Sequence, residues 1–433
     1  MEKIDNKQII NLLCNPDLTQ YLTNKDKSEL CQCSKYIFFK CTQNRLQSLE
    51  LFLYQLTDRR TIFSPSNYTN KEILQNQLIH ISQAIEAYKN TAIRLGIGMN
   101  YNYHLVKYTT QSFINLTKLR LVYVIIPKFE FNNILSNLEN LDTLWLDEII
   151  ISFNDAEENT PLALPPLLNN LFWSNCKQMH YDSAIDLHPV AFHNSLSDIN
   201  FDALSPLEIP TYSIKNLKFL TSYNAELQYT QTINQLIQTN PKLTQLNTLI
   251  EALDNTTIKL ISHSVNLSKL HFDNDYGESD IQVTDFLPLP YLNSIEFNIV
   301  PIHRLVYASQ LIKCCVNLVN FICPWLPEIE DNLQGLITNI EHLEYLTLRN
   351  CSNSPDFITF KLVNQNLKYL EFSRFNPLKI DFKLFSSLEN LKRVKIVIHA
   401  KFHRNLTEIR DYYESLTGWR VFIYEYVIQC WKE

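Results

Sequence analysis

Glycine is scarce in this chain: 433 residues contain five, Gly96, Gly98, Gly277, Gly335 and Gly418. Loops that cradle phosphate need several glycines close together, because backbone N–H groups must approach the anion with no Cβ in the way. Only Gly96-Ile-Gly98 is clustered at all. Neither a third glycine nor a phosphate-binding lysine follows it, so the familiar nucleotide-dependent chemistries are excluded. Basic excess is also missing: 38 Lys and Arg stand against 45 Asp and Glu, a formal charge of −7. That balance gives no electrostatic footprint for nucleic acid. Long apolar runs are absent too, "LVYVII" (121–126) being among the longest, well short of the ~20 residues of a membrane span. The opening "MEKIDNKQIINLL" lacks the basic-then-apolar layout of a secretory signal. The expectation is an intracellular protein, cytoplasmic or nuclear and not secreted, whose ten cysteines are free thiols rather than disulfides.

Catalytic and metal motifs are missing as well. There is no G-x-S-x-G, and His399-x-x-x-His403 lacks the glutamate of a zinc-hydrolase helix. Cys31 and Cys33, two apart on a helix, point about 200° from each other and cannot share a metal. His188 and His193 flank "PVAF" and, like His399 and His403, read as a loop pair rather than a metal site. No enzyme, cofactor or metal is expected.

What the chain has is a recurrence. "NLENLDTLWL" (137–146), "NLKYLEF" (366–372) and "NLKRVKI" (390–396) share one pattern. Its opening apolar residue recurs at Leu116, Leu141, Leu168, Leu196, Leu217, Leu243, Leu267, Leu292, Leu318, Leu343, Leu367 and Leu391, with a mean interval of 25. Three residues after each opener the side chain is apolar. Five after, it is apolar or cysteine except at Ser222 and Thr248. Asn precedes the opener in seven copies. Positions +3 and +5 alternate, so a short strand turns both inward while its neighbours face out. Between strands the pattern is helical in "TINQLIQTN" (Ile233, Leu236, Ile237), "DNLQGLITNI" (Leu333, Leu336, Ile337, Ile340) and "FKLFSSLENL" (Phe385, Leu388). Neither a short strand nor a short helix buries its apolar side alone, but stacked copies bury both.

The repeat resembles the leucine-rich repeat in its longer, ribonuclease-inhibitor-like form. "LFWSNC" (171–176) and "LTLRNC" (346–351) place Cys176 and Cys351 where that family has Asn or Cys, whereas Asp275, Val300 and Phe375 depart from it. The resemblance implies an α/β horseshoe solenoid over 93–433, about twelve repeats, with the parallel sheet concave and helices outside. Its outward strand positions then offer a surface for an unknown target protein: Trp145, Phe172, Phe219, Tyr223, Tyr345, Arg349, Tyr369, Arg374, Arg393 and Lys395. Aromatic residues and arginine are the usual anchors of protein interfaces. The basic run Lys392, Arg393, Lys395, Lys401 and Arg404 reads either as a patch for an acidic partner or as a solvated end.

Residues 1–45 do not follow the repeat. In "PDLTQYLTNKDKSELCQCSKYIFFK" (16–40), Leu30, Cys33 and Ile37 share a helical face, preceded by Leu18 and Leu22. The spacing of Asp26, Leu30, Cys33, Ser34 and Lys35 resembles an F-box. It departs from one at Lys27, at Ile37 and in lacking the opening Leu-Pro. The resemblance implies a small all-α segment that docks a Skp-family adaptor, and through it a cullin, with Leu18, Leu22, Leu30, Cys33 and Ile37 in contact. The repeats would then hold a target for ubiquitin transfer. The alternative is a repeat scaffold with no ubiquitin link. Residues 46–92 read as a helical connector and cap built from "QSLELFLYQL" and "NKEILQNQLIHISQAIEAY". "AIRLGI" (92–97) reads as a strand that starts or caps the solenoid.

Overall fold

The computed structural model describes residues 48–52, 71–86, 88–98, 102–113, 115–158, 160–181, 191–192, 204–210, 214, 217–223, 228–273, 283–298, 305–351, 362–399, 402, 405–424 and 426–433. The chain divides into two units, Met1–Pro210 with Ile214–Asn216 and Thr211–Ser213 with Leu217–Glu433. The F-box-like segment lies outside the described residues.

In the first unit, strands β1 (Ser48–Phe52), β2 (Arg94–Gly98), β3 (Lys118–Val122), β5 (Thr143–Asp147) and β7 (Asn170–Ser174) lie side by side and parallel. Their register aligns Leu49, Leu95, Leu119, Leu144 and Leu171 in one inward row, all buried. Each row member is the +3 residue of its copy where the copy was recognised, so the 25-residue period is the physical spacing of rungs in a leucine-rich-repeat solenoid. A second, small sheet follows the turns: β4 (Ile125–Pro127), β6 (Ile150–Phe153) and β8 (Lys177–His180) are parallel, with β9 (Ser205–Pro206) antiparallel to β8. Helices α1 (Lys71–Glu86), α2 (Tyr103–Gln111) and α3 (Lys128–Ser136) are described in the same unit.

Two expectations are corrected here. "SLELF" within the stretch read as helical is strand β1: Leu49 is buried, and the edge of β2 supplies the backbone partner. "AIRLGI" is therefore an interior strand, flanked by β1 and β3.

In the second unit, β10 (Phe219–Tyr223), β11 (Gln245–Leu249), β12 (Lys269–Asp273), β13 (Ser294–Phe297), β14 (Asn320–Trp325), β15 (Tyr345–Asn350), β16 (Tyr369–Ser373) and β17 (Arg393–Val397) are parallel in chain order. Leu220, Leu246, Leu270, Ile295, Phe321, Leu346, Leu370 and Val394 form the inward row. Helices α4 (Gln228–Thr239), α5 (Asn255–His263), α6 (Leu305–Cys314) and α7 (Glu330–Thr338) connect strands, and Ile233, Leu236, Ile237, Leu333 and Ile337 bury their apolar sides. "FKLFSSLENL" forms a short 3-10 turn at Phe382–Phe385, not an α-helix, although Phe385 and Leu388 are buried as expected. The Asp381 side chain accepts from the Lys383 backbone N–H at 2.9 Å, opening a turn that gains more length per residue than an α-helix on a short return path.

The repeat stops at β17. Past helix α8 (Leu406–Glu414), strands β18 (Trp419–Ile423) and β19 (Val427–Lys432) form a hairpin, and β19 pairs antiparallel with β17. Cys430 takes the next place in the inward row, beside Val394, and is fully buried. The hairpin thus covers the sheet edge that a parallel repeat would leave open.

The recurring Asn-Leu acquires a reason. Asn266, Asn317 and Asn390 each donate from Nδ2 to a main-chain oxygen one repeat earlier, Pro241 at 2.9 Å, Pro290 at 2.8 Å and Gln365 at 2.7 Å. Asn366 does the same to Glu341. In these four copies the amide ties the rung to the one before, and the leucine beside it enters the core.

At the far end of four strands, β3, β5, β7 and β16, the chain turns sharply. Tyr123, Glu148, Asn175 and Arg374 follow their strands with φ of 54°, 50°, 47° and 66°, the left-handed region. The next residues, Val124, Ile149, Cys176 and Phe375, are buried. At this turn position the Cys176 thiol donates to the Ser174 carbonyl at 3.4 Å, and the Cys351 thiol to that of Arg349 at 3.5 Å. Apolar side chains here fill the core without that contact, so the departure from Asn or Cys at Phe375 leaves the rung intact.

Candidate functional site

Strand alternation leaves one face of each sheet to the +2 and +4 side chains. In the first unit the +4 row aligns Arg120, Trp145 and Phe172 on β3, β5 and β7. Trp145 and Phe172 stack with centroids 4.2 Å apart and planes 12° from parallel, and the Arg120 guanidinium lies 4.9 Å from the Trp145 ring. Adjacent strands lie about 4.8 Å apart, so rings at matched register stack almost unavoidably.

In the second unit the +2 row carries a longer ladder. Tyr345, Tyr369, Arg393 and Trp431 occupy matched positions on β15, β16, β17 and β19. The tyrosine rings stack at 4.5 Å and 12°. The Arg393 guanidinium sits 5.3 Å from the Tyr369 ring and 5.2 Å from the Trp431 ring, held between two π faces. Tyr345 and Trp431 are exposed, at 41% and 38%.

One step along the same strands the face becomes ionic. Lys395 meets Glu371 at 3.0 Å. Farther into the sheet, Glu296 receives His271 Nδ1 at 3.1 Å and Arg349 Nη1 at 2.6 Å. Arg349 also donates to Asn298 Oδ1 at 2.6 Å, and Asn298 donates to Asp273 at 2.9 Å. Burial works to raise the Glu296 carboxyl, but the hydrogen bond and charge of His271 and the Arg349 guanidinium outweigh it and hold the group below its ordinary value.

Of the sequence-selected residues, Trp145 and Phe172 come together, as do Tyr345, Tyr369 and Arg393, while Lys395 lies beside them in its ion pair. Arg349 faces the same side but is consumed by Glu296 and Asn298. Arg374 is corrected: it occupies the left-handed turn after β16, off the strand face, because the strand ends at Ser373. Phe219 and Tyr223 belong to β10, but their side chains lie outside the described residues, as do Leu18, Leu22, Leu30, Cys33, Ile37, His188, His193, Lys401, His403 and Arg404. Sequence reading missed Arg120, His271 and Glu296, although all three sit at the +4 position that selected Trp145. It also missed Trp431, which no repeat register could place because its strand runs antiparallel.

Among the described residues no cluster of His, Cys, Asp and Glu could hold a metal. The thiols of Cys176, Cys315, Cys323 and Cys430 are all pushed up by burial, that of Cys430 to about 12, which removes thiolate character at neutral pH. No described helix is long and apolar enough to cross a membrane.

No protein-family model matches the chain, and no curated protein does. Solved structures do. Toll from the Drosophila Toll–Spätzle complex aligns at 13% identity over 73% of this chain and 49% of its own, with a TM-score of 0.32. TLR13 from its complex with ssRNA13 aligns at 17% identity over 71% and 46%, with a TM-score of 0.34. Mouse RP105 from the RP105/MD-1 complex aligns at 14% identity over 78% and 43%, with a TM-score of 0.24. This chain spans under half the length of each. The assignment of the leucine-rich-repeat fold rests on strand register and period, to which these likenesses add no functional argument.

Proposed function

We propose that this chain is a non-catalytic protein-binding receptor whose open sheet faces hold a target protein. The observation that carries the reading is the ladder Tyr345, Tyr369, Arg393 and Trp431, in which rigid aromatic rings and a guanidinium are pre-aligned at the solvent side of four adjoining strands. Such groups lose little side-chain freedom on binding, and this pre-organisation favours affinity. The stacked Arg120, Trp145 and Phe172 group offers the first unit a similar contact.

The finer reading is that the chain is the substrate receptor of a cullin–RING ubiquitin ligase in the cytoplasm or nucleus. A Skp-family adaptor would engage the F-box-like residues Leu18, Leu22, Leu30, Cys33 and Ile37. Support for it is the spacing of Asp26, Leu30, Cys33, Ser34 and Lys35 ahead of a repeat domain. The test is co-purification of adaptor and cullin with the wild-type chain and with Leu22→Asp. A charge on a buried anchor costs on the order of 2 kcal/mol or more, about thirtyfold in affinity. Loss of adaptor with an unchanged thermal midpoint supports the receptor reading. Absence of any adaptor from the wild-type preparation leaves the interaction scaffold with no ubiquitin link.

A further inference from the structure

We propose that Arg393 is a carboxylate anchor, so that the partner of the second unit's open face is a protein segment presenting an Asp or Glu side chain next to an apolar one. This inference rests on the protein-binding reading above. The Arg393 guanidinium carbon lies 5.3 Å from the Tyr369 ring centroid and 5.2 Å from that of Trp431, so its contacts here are to aromatic rings, which leave its N–H donors without an acid. The planar fork matches a carboxylate in two parallel hydrogen bonds.

The surroundings leave that fork available. The acids of these rungs are already matched: Glu344 binds Lys368 at 2.5 Å and Glu371 binds Lys395 at 3.0 Å. Among the described residues neither Lys392 nor Arg393 meets a carboxylate. The ladder therefore carries unneutralised positive charge at its centre, with the exposed rings of Tyr345 and Trp431 on either side. An acidic side chain satisfies the first feature and an apolar neighbour the second. Arg349 shows the contrast, since its guanidinium is already spent on Glu296 and Asn298.

The experiment pans a displayed library of random short peptides against the full chain and measures the affinity of the enriched peptides by fluorescence polarisation. Enrichment of Asp or Glu beside aromatic or aliphatic residues is expected. Arg393→Ala should weaken those peptides on the order of tenfold, Arg393→Lys should recover only part of that, and Arg393→Glu should abolish the acidic selection. Thermal midpoints of the variants control for folding. Panning without acidic enrichment, or acidic peptides that bind Arg393→Ala undiminished, overturns the anchor. Displacement of the peptides by inorganic phosphate, under conditions where matched acetate and chloride have no effect, would also overturn it in favour of a phosphate site. If Tyr345→Ala weakens the peptides while Arg393→Ala does not, the carboxylate assignment fails and the protein-binding face stands. If neither variant matters, both fail.

Discussion

Arg349 reaches Glu296 across an intervening strand, Nη1 to Oε1 at 2.6 Å, and His271 closes on the same carboxylate from the other side. The pairing joins β12, β13 and β15 through side chains alone and keeps the Glu296 carboxyl ionised. A carboxyl held below its unfolded value contributes stability that is present above that value and lost as pH falls through the folded one. The unfolded reference is 4.5. The wild-type chain should therefore exceed Glu296→Gln in stability at neutral pH, and the gap should close in acid below that value. Urea denaturation across a pH series measures it; a gap independent of pH would sink the idea.

The inward row makes a direct prediction. Leu270 and Leu346 are 2% and 1% exposed in the shared core. Either Leu→Ala change should cost roughly 2–5 kcal/mol, from lost burial and the cavity left behind. A cost near zero at both would contradict the register.

Asparagines at two depths should behave differently. Buried Asn364 donates to the carbonyls of Ile337 at 2.8 Å and Ile340 at 2.9 Å. Asn364→Ala removes two buried hydrogen bonds and leaves each carbonyl only a long main-chain contact of 3.4 Å, from the N–H of Ile340 and of Leu343, so it should cost about 2 kcal/mol. Asn390→Ala removes one exposed bond to Gln365, whose carbonyl water can satisfy, and should cost about 0.5–1 kcal/mol. Equal costs would mean that the inter-repeat amide contributes more than a solvent-facing hydrogen bond should.

Trp145→Ala on the first unit's open face and Tyr369→Ala on the second unit's each remove one stacked partner, a loss of about 1 kcal/mol in stability, and should clearly weaken capture of whatever protein co-purifies. Global unfolding by either variant would show that these rings belong to the core.

Much of this architecture was legible along the chain, and the reason lies in how a repeat is stabilised. Inward positions such as Leu144, Leu270 and Leu370 are set by alternation within five residues and by a constant interval to the next copy. Both are one-dimensional properties. The same arithmetic placed Trp145, Tyr345, Tyr369 and Arg393 outward. It also pointed to Thr248 as an irregular inward position, and Thr248 is indeed fully buried.

What the sequence by itself determined was the rung: which leucines enter the core, which side chains face out, and how far apart the copies stand. Tertiary structure decided how the rungs end and what their surface groups do. Strand β1 exists because the edge of β2 pairs with it, and short alternation alone does not separate it from a helix. Trp431 joins the ladder because β19 returns antiparallel, which no period encodes. Arg349 and Arg393 read alike in the sequence, yet one is committed to Glu296 while the other lies between two rings. Charge pairing across strands depends on which side chains the register makes neighbours, and that neighbourhood exists only once the strands are stacked.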